Sequence, residues 1–92
     1  MKNIAILGST GSIGTQALEV IEGNPDIFSA EILVANNNCD LLIEQAIKFK
    51  PNAVVIANTD KYTLVKDALA HTDTKVFAGA NAIEQVVQMS NI

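Results

Sequence analysis

Ninety-two residues suffice for one small domain with a modest core and are too few for a nucleotide-binding domain joined to a separate substrate domain. A chain that is 49% hydrophobic and 17% charged, with no low-complexity tract or internal repeat, has a globular and not a disordered composition. Its formal net charge of −4, with all six basic residues lysines, argues against a nucleic-acid or anionic-membrane surface and leaves no arginine to clamp a phosphate monoester.

The single Cys39 permits no internal disulfide and reads as a small apolar residue near a helix start, in keeping with a reducing compartment. The longest apolar run, Ala53 to Ala57, is too short to span a bilayer, and the N-terminal stretch lacks the apolar core of a signal peptide. The expectation is a cytoplasmic protein.

Apolar runs rich in branched residues alternate with stretches whose apolar positions recur at helical spacing, four of each. The first strand is expected at Asn3 to Leu7, followed by a helix from Ser12 to Glu22 that buries Ile13, Ala17, Val20 and Ile21 and is stopped by Gly23 ahead of Pro25. A strand at Ala30 to Ala35 and a helix at Asp40 to Phe49, burying Leu42, Ile43, Ala46 and Ile47, end at Pro51. The third strand, Ala53 to Ala57, is apolar on both alternate sets, as a central strand covered on both faces should be. Asn58 or Thr59 then caps a helix to Ala70 with Leu64, Val65, Ala68 and Leu69 inward. A last pair follows at Lys75 to Ala78 and Ala82 to Met89, with Ala82, Ile83, Val86 and Val87 on one face. Such alternation predicts an α/β fold of parallel strands joined by right-handed crossovers, half-barrel or doubly wound. In an open sheet of this kind, "SNI" at Ser90 to Ile92 is where a strand returning beside the first would start, so the chain reads as the N-terminal piece of a longer protein.

Gly8, Gly11 and Gly14 recur every third residue between the first strand and the first helix. In that setting the first glycine allows a tight turn, the second lets a pyrophosphate approach the main chain, and the third lets helix and strand pack closely. Free N–H groups and the positive end of the helix dipole then hold phosphate oxygens. Ser9, Thr10 and Ser12 can cap the helix or bond the same oxygens. No lysine follows the last glycine, so the mononucleotide P-loop pattern is not met. The reading is a Rossmann-like parallel sheet of four βα units, forming the N-terminal portion of a dinucleotide-binding domain.

Asn36, Asn37 and Asn38 close the second strand, where an NAD site usually carries an acidic residue for the ribose hydroxyls. Neutral amides do not repel a 2′-phosphate, so the loop leans toward NADP; the same residues can make a turn and cap the next helix. His71 reads as a helix-end cap or a solvated side chain, Asp60, Asp67 and Asp73 as caps and solvated faces, and Tyr62 as packing. No carboxylate, histidine or cysteine set has metal-ligand spacing, and no residue is placed to do chemistry on a substrate.

The stretch "KNIAILGSTGSIGTQALEVI", with "NPDIF", "ILVANNN" and "LLIEQAIKFKPNAVVI", closely resembles the 1-deoxy-D-xylulose 5-phosphate reductoisomerase family. The resemblance covers essentially all 92 residues but only the first part of that family's chain. It implies an NADPH-dependent, homodimeric enzyme that rearranges 1-deoxy-D-xylulose 5-phosphate and reduces the product to 2-C-methyl-D-erythritol 4-phosphate in non-mevalonate isoprenoid biosynthesis. A divalent cation, Mg²⁺ or Mn²⁺, would hold the substrate oxygens. Thr10, Gly11, Ser12 and Ile13 match the family's pyrophosphate loop and Asn38 an asparagine that contacts the cofactor. Asn36 and Asn37 stand where many members have Gly and then Lys or Arg, which removes a cation from the neighbourhood of the 2′-phosphate. The family's metal-binding, substrate-phosphate and lid residues lie beyond residue 92, so these residues alone are expected to be catalytically inert. Two alternatives stay open: another NADP-dependent oxidoreductase with a G-x-x-G-x-x-G loop, and a non-catalytic nucleotide-sensing module.

Overall fold

The computed structural model describes residues 2–89. Its order is β1 (Lys2–Leu7), α1 (Ser12–Gly23), β2 (Phe28–Ala35), α2 (Cys39–Phe49), β3 (Ala53–Ile56), a 3-10 turn (Thr59–Lys61), α3 (Tyr62–Ala68), β4 (Lys75–Ala78) and α4 (Ala80–Met89). The four strands form one parallel sheet in the order β1-β2-β3-β4, which makes β3 interior as its apolar sequence predicts. Successive residues of the interior strands point to opposite faces. Leu33, Ala35, Val54 and Ile56 meet α1, α2 and α3 on one side, while Ile32, Val34, Ala53 and Val55 meet Ala82 and Val86 of α4 on the other.

The change of face at α4 matters for the site. Right-handed crossovers with helices on one face step the sheet from β1 to β4; a right-handed connection continuing from a helix on the opposite face runs back toward β1. The strand expected from Ser90 to Ile92 lies outside the described residues. Crevices that bind ligands in such sheets open at the carboxyl ends of the strands where this reversal occurs.

Helix positions agree with the periodicity, but their rotation does not. In α1 the buried set is Gly14, Leu18 and Ile21; Ile13 is 84% exposed and Val20 55% exposed, so two of the four residues expected inside are outside. The cause is steric. A Cβ on Gly14 would lie 2.1 Å from the Gly8 carbonyl oxygen and 2.7 Å from the Ser9 Cα, so helix and loop meet backbone to backbone at this glycine. That contact turns the Gly14–Leu18–Ile21 stripe inward. Ile47 and Leu64 are likewise exposed, beside the buried Leu42 and Ala46 of α2 and the buried Val65 of α3.

Helix ends also differ from expectation. Gly23 is the last residue of α1 and does not stop it; Asn24 does, with its main-chain N–H on the Ile21 carbonyl and its side-chain amide donating to the Val20 carbonyl at 2.8 Å. After α2 the left-handed position is taken by Lys50 (φ 52°), whose N–H closes on the Ala46 carbonyl before Pro51 prevents further helix. Asn58 caps the 3-10 turn and α3 begins only at Tyr62, while Ala70 lies beyond its end. Among the described residues, no helix is long and apolar enough to cross a membrane.

Candidate functional site

Three loops converge at the carboxyl ends of β1, β2 and β3. Gly8 and Ser9 both donate their main-chain N–H groups to the Val34 carbonyl, at 2.8 and 2.9 Å, tying the glycine loop to the end of β2. The main-chain N–H of Asn58 reaches the Asn36 carbonyl at 2.9 Å, tying the end of β3 to the asparagine loop. Residues scattered over some fifty positions of sequence thereby share one rim of the sheet.

The glycine loop is built by its main chain. Gly8 sits at φ +83°, a left-handed conformation that glycine adopts without the Cβ clash of other residues, and turns the chain out of β1. Gly11 is the N-cap of α1, with its N–H on the Gly8 carbonyl at 3.0 Å. No side-chain hydrogen bond caps this helix, although Ser9, Thr10 and Ser12 all carry hydroxyls nearby. The Ser9 side chain is fully buried with no partner for its hydroxyl among the described residues, and Thr15 uses its own hydroxyl on the Ser12 carbonyl.

Four N–H groups, those of Thr10, Ser12, Ile13 and Gly14, consequently take no acceptor among the described residues. A helix start of this kind has donors and a positive dipole end to offer, and no acidic side chain occupies its first turn. A Cβ on Gly11 would come no closer than 3.4 Å to the Gly8 oxygen, so the fold itself does not demand glycine there, in contrast to Gly14. A glycine there leaves the main chain open to close approach from outside. The loop therefore fits a phosphate group.

Gln45 supports the loop from below and was not distinguished by sequence reasoning. Buried on the inner face of α2, it donates from Nε2 to the Ser9 carbonyl at 2.8 Å across 36 residues of sequence. The bond ties that carbonyl to α2. A polar residue on the apolar Leu42–Ala46 stripe was the available signal.

The asparagine loop works through side chains. Asn36, Asn37 and Asn38 are all exposed. Asn38 caps α2, its Oδ1 accepting the Leu41 N–H at 3.2 Å, with Asp40 in the first turn and Cys39 buried at the first helical position. Asn37 accepts at Oδ1 from Asn58 Nδ2 at 2.9 Å. His71 is exposed, and among the described residues no group of three or more His, Cys, Asp or Glu side chains could hold a metal ion. The cleft of about 250 Å³ between α1 and α2, lined by Thr15, Leu18, Glu44 and Gln45 among others, lies beside the glycine loop and does not include it.

Comparison with known proteins accords with this geometry. The sequence model of the 1-deoxy-D-xylulose 5-phosphate reductoisomerase family matches residues 4–92. The chain is similar to the reductoisomerases of Phocaeicola vulgatus, with 59% identity over 99% of this chain, and of Porphyromonas gingivalis, with 57% identity over 99%. It spans about a quarter of the length of these relatives, 24% in each case. Among solved structures, the Zymomonas mobilis reductoisomerase in complex with NADPH has a TM-score of 0.90 and 35% identity, covering 96% of this chain and 23% of that one. A reductoisomerase in complex with NADPH, fosmidomycin and magnesium has a TM-score of 0.92 and 26% identity, covering 100% of this chain and 23% of that one. A glycine loop whose turn needs Gly8 and whose helix contact needs Gly14, and a matching sequence that runs through every element from β1 to α4, agree: the chain belongs to the 1-deoxy-D-xylulose 5-phosphate reductoisomerase family.

Proposed function

We propose that residues 1–92 are the N-terminal NADPH-binding part of a 1-deoxy-D-xylulose 5-phosphate reductoisomerase. The full-length protein would rearrange and reduce 1-deoxy-D-xylulose 5-phosphate to 2-C-methyl-D-erythritol 4-phosphate, as a cytoplasmic homodimer with a divalent cation. The observation that carries this reading is the uncapped start of α1. Its free N–H groups at Ser12, Ile13 and Gly14 face a ligand that must come close to Gly11.

In this reading the N–H groups of Thr10, Ser12, Ile13 and Gly14 bind the pyrophosphate, and the dipole of α1 favours its charge. Gly8 and Ser9 contribute through the shape of the turn. The fully buried Ser9 side chain fills the space beneath the loop, while Gln45 orients the Ser9 carbonyl. Asn36, Asn37 and Asn38 take the adenosine ribose and its 2′-phosphate through side-chain and main-chain donors. When bound, NADPH supplies the hydride for the reduction. The groups that would hold the metal and substrate are assigned in this reading to the remaining three quarters of the relatives' length, so residues 1–92 alone would turn over no substrate.

Calorimetric titration of the full-length protein with NADPH, in the wild type and in Gly11→Val, tests the proposal. The variant is expected to fold, since a Cβ fits beside the Gly8 oxygen, with a melting temperature lowered by a few degrees at this N-cap, and to bind NADPH at least about tenfold more weakly. Unchanged affinity would remove the loop from the cofactor site. Failure of the wild type to oxidise NADPH when given 1-deoxy-D-xylulose 5-phosphate would remove the assigned reaction.

A further inference from the structure

We propose that Asn58, at the end of β3, is a specificity-determining positioning residue: it locks the Asn37 amide so that Asn37, like Asn38 beside it, turns its amino group and not its oxygen toward the cofactor's 2′-substituent. The inference rests on the NADPH reading above and adds a residue and a mechanism of discrimination to it.

The argument follows the direction of each hydrogen bond. The main-chain N–H of Asp60 can only donate, and it lies 3.0 Å from Asn58 Oδ1, which identifies the oxygen end of the Asn58 side chain. The other end, Nδ2, therefore faces Asn37, and at 2.9 Å it can only donate to Asn37 Oδ1. That leaves the Asn37 amino group as its unengaged end. Asn38 is polarised in the same sense, because its Oδ1 is committed to the Leu41 N–H at 3.2 Å. Two adjacent exposed amides thus have their oxygen ends turned toward partners in the protein and their amino groups unengaged among the described residues.

The selectivity follows from what each ligand needs. A ribose 2′-hydroxyl is held best by an acceptor, which is why a carboxylate commonly ends β2 in NAD sites. A phosphate is acceptor-only and needs donors. Asn37 and Asn38 turn their engaged oxygens away and offer amino groups to the phosphate, so the pair favours a phosphate over a hydroxyl without a cation. The chain from Asn58 to Asn37 has a rigid base: the Asn58 main chain is held by the Asn36 carbonyl at 2.9 Å, and its own carbonyl accepts the Lys61 N–H at 3.0 Å.

The test measures NADPH and NADH dissociation constants for the full-length protein and two variants. Asn58→Ser keeps a neutral acceptor for the Asp60 N–H but is too short to reach Asn37. Asn58→Asp keeps the acceptor and draws the Asn37 amino group toward itself, turning the Asn37 oxygen outward. The preference for NADPH over NADH is expected to fall about threefold in the serine variant and about tenfold or more in the aspartate variant, the scale of one hydrogen bond to a charged group. If both variants retain the wild-type preference, or lose affinity for the two cofactors in equal proportion, the role assigned to Asn58 is wrong while the NADPH reading stands. If the wild type binds neither cofactor, the NADPH reading falls first and this inference with it.

Discussion

The two loops at the rim of the sheet offer hydrogen-bond donors by opposite means. After β1 the work is done by main chain: Gly8 turns it, Gly14 lets it touch α1, and the N–H groups of Ser12 to Gly14 are left without acceptors. After β2 it is done by side chains whose direction is set by partners elsewhere, Leu41 for Asn38 and Asn58 for Asn37. A main-chain site tolerates almost no change in shape, because every alternative residue brings a Cβ. A side-chain site tolerates changes of shape but depends on which end of each amide is turned outward.

That contrast orders the expected effects of mutation. Gly14→Ala should be the most damaging, because its Cβ would lie 2.1 Å from the Gly8 oxygen and neither partner is a flexible side chain. Displacing α1 is expected to cost about 3 kcal/mol of stability, read by urea denaturation. Wild-type stability in that variant would mean that Gly14 does not set the helix position.

Gln45→Met should come next. It strands the Ser9 carbonyl in a buried setting, for a loss of about 1 to 3 kcal/mol, and it should also weaken NADPH binding by releasing the loop. A stability loss with NADPH affinity intact would separate the support from the site and blunt the comparison. Asn38→Ala removes the cap of α2 at an expected cost of about 1 kcal/mol in thermal unfolding, and weakens NADPH more than NADH.

Asn37→Arg should change stability least, within about 0.5 kcal/mol, because the residue is exposed. Its effect should appear in selectivity, with the NADPH preference rising several-fold as a charged donor is added beside the 2′-phosphate. An unaltered preference would place that phosphate away from the second loop.

Much of this site was legible in the sequence because its signals are local. Three glycines between an apolar run and a helical pattern mark a turn and a helix start within seven residues, and the Asn36 to Asn38 run marks a strand end. Gln45 was half legible, as a polar residue on the buried stripe of α2. Asn58 was legible only as a cap, since nothing in its own neighbourhood reveals that its side chain reaches a residue 21 positions earlier. The inward face of α1 was misread for a related reason. Ile13 and Val20 are more apolar than Gly14, yet the glycine faces inward because only it fits against the loop.

The sequence by itself determined the alternation of strands and helices, the interior character of β3 and the glycine turn that opens the first helix. Each depends on periodicity or backbone chemistry confined to a few neighbouring residues. Tertiary structure alone decided how each helix is rotated, that α4 crosses to the opposite face of the sheet, and which end of each amide faces the rim. Those outcomes depend on contacts between distant segments, such as Gln45 with Ser9 and Asn58 with Asn37, where one close approach or one directed hydrogen bond outweighs the average hydrophobicity of a helical face.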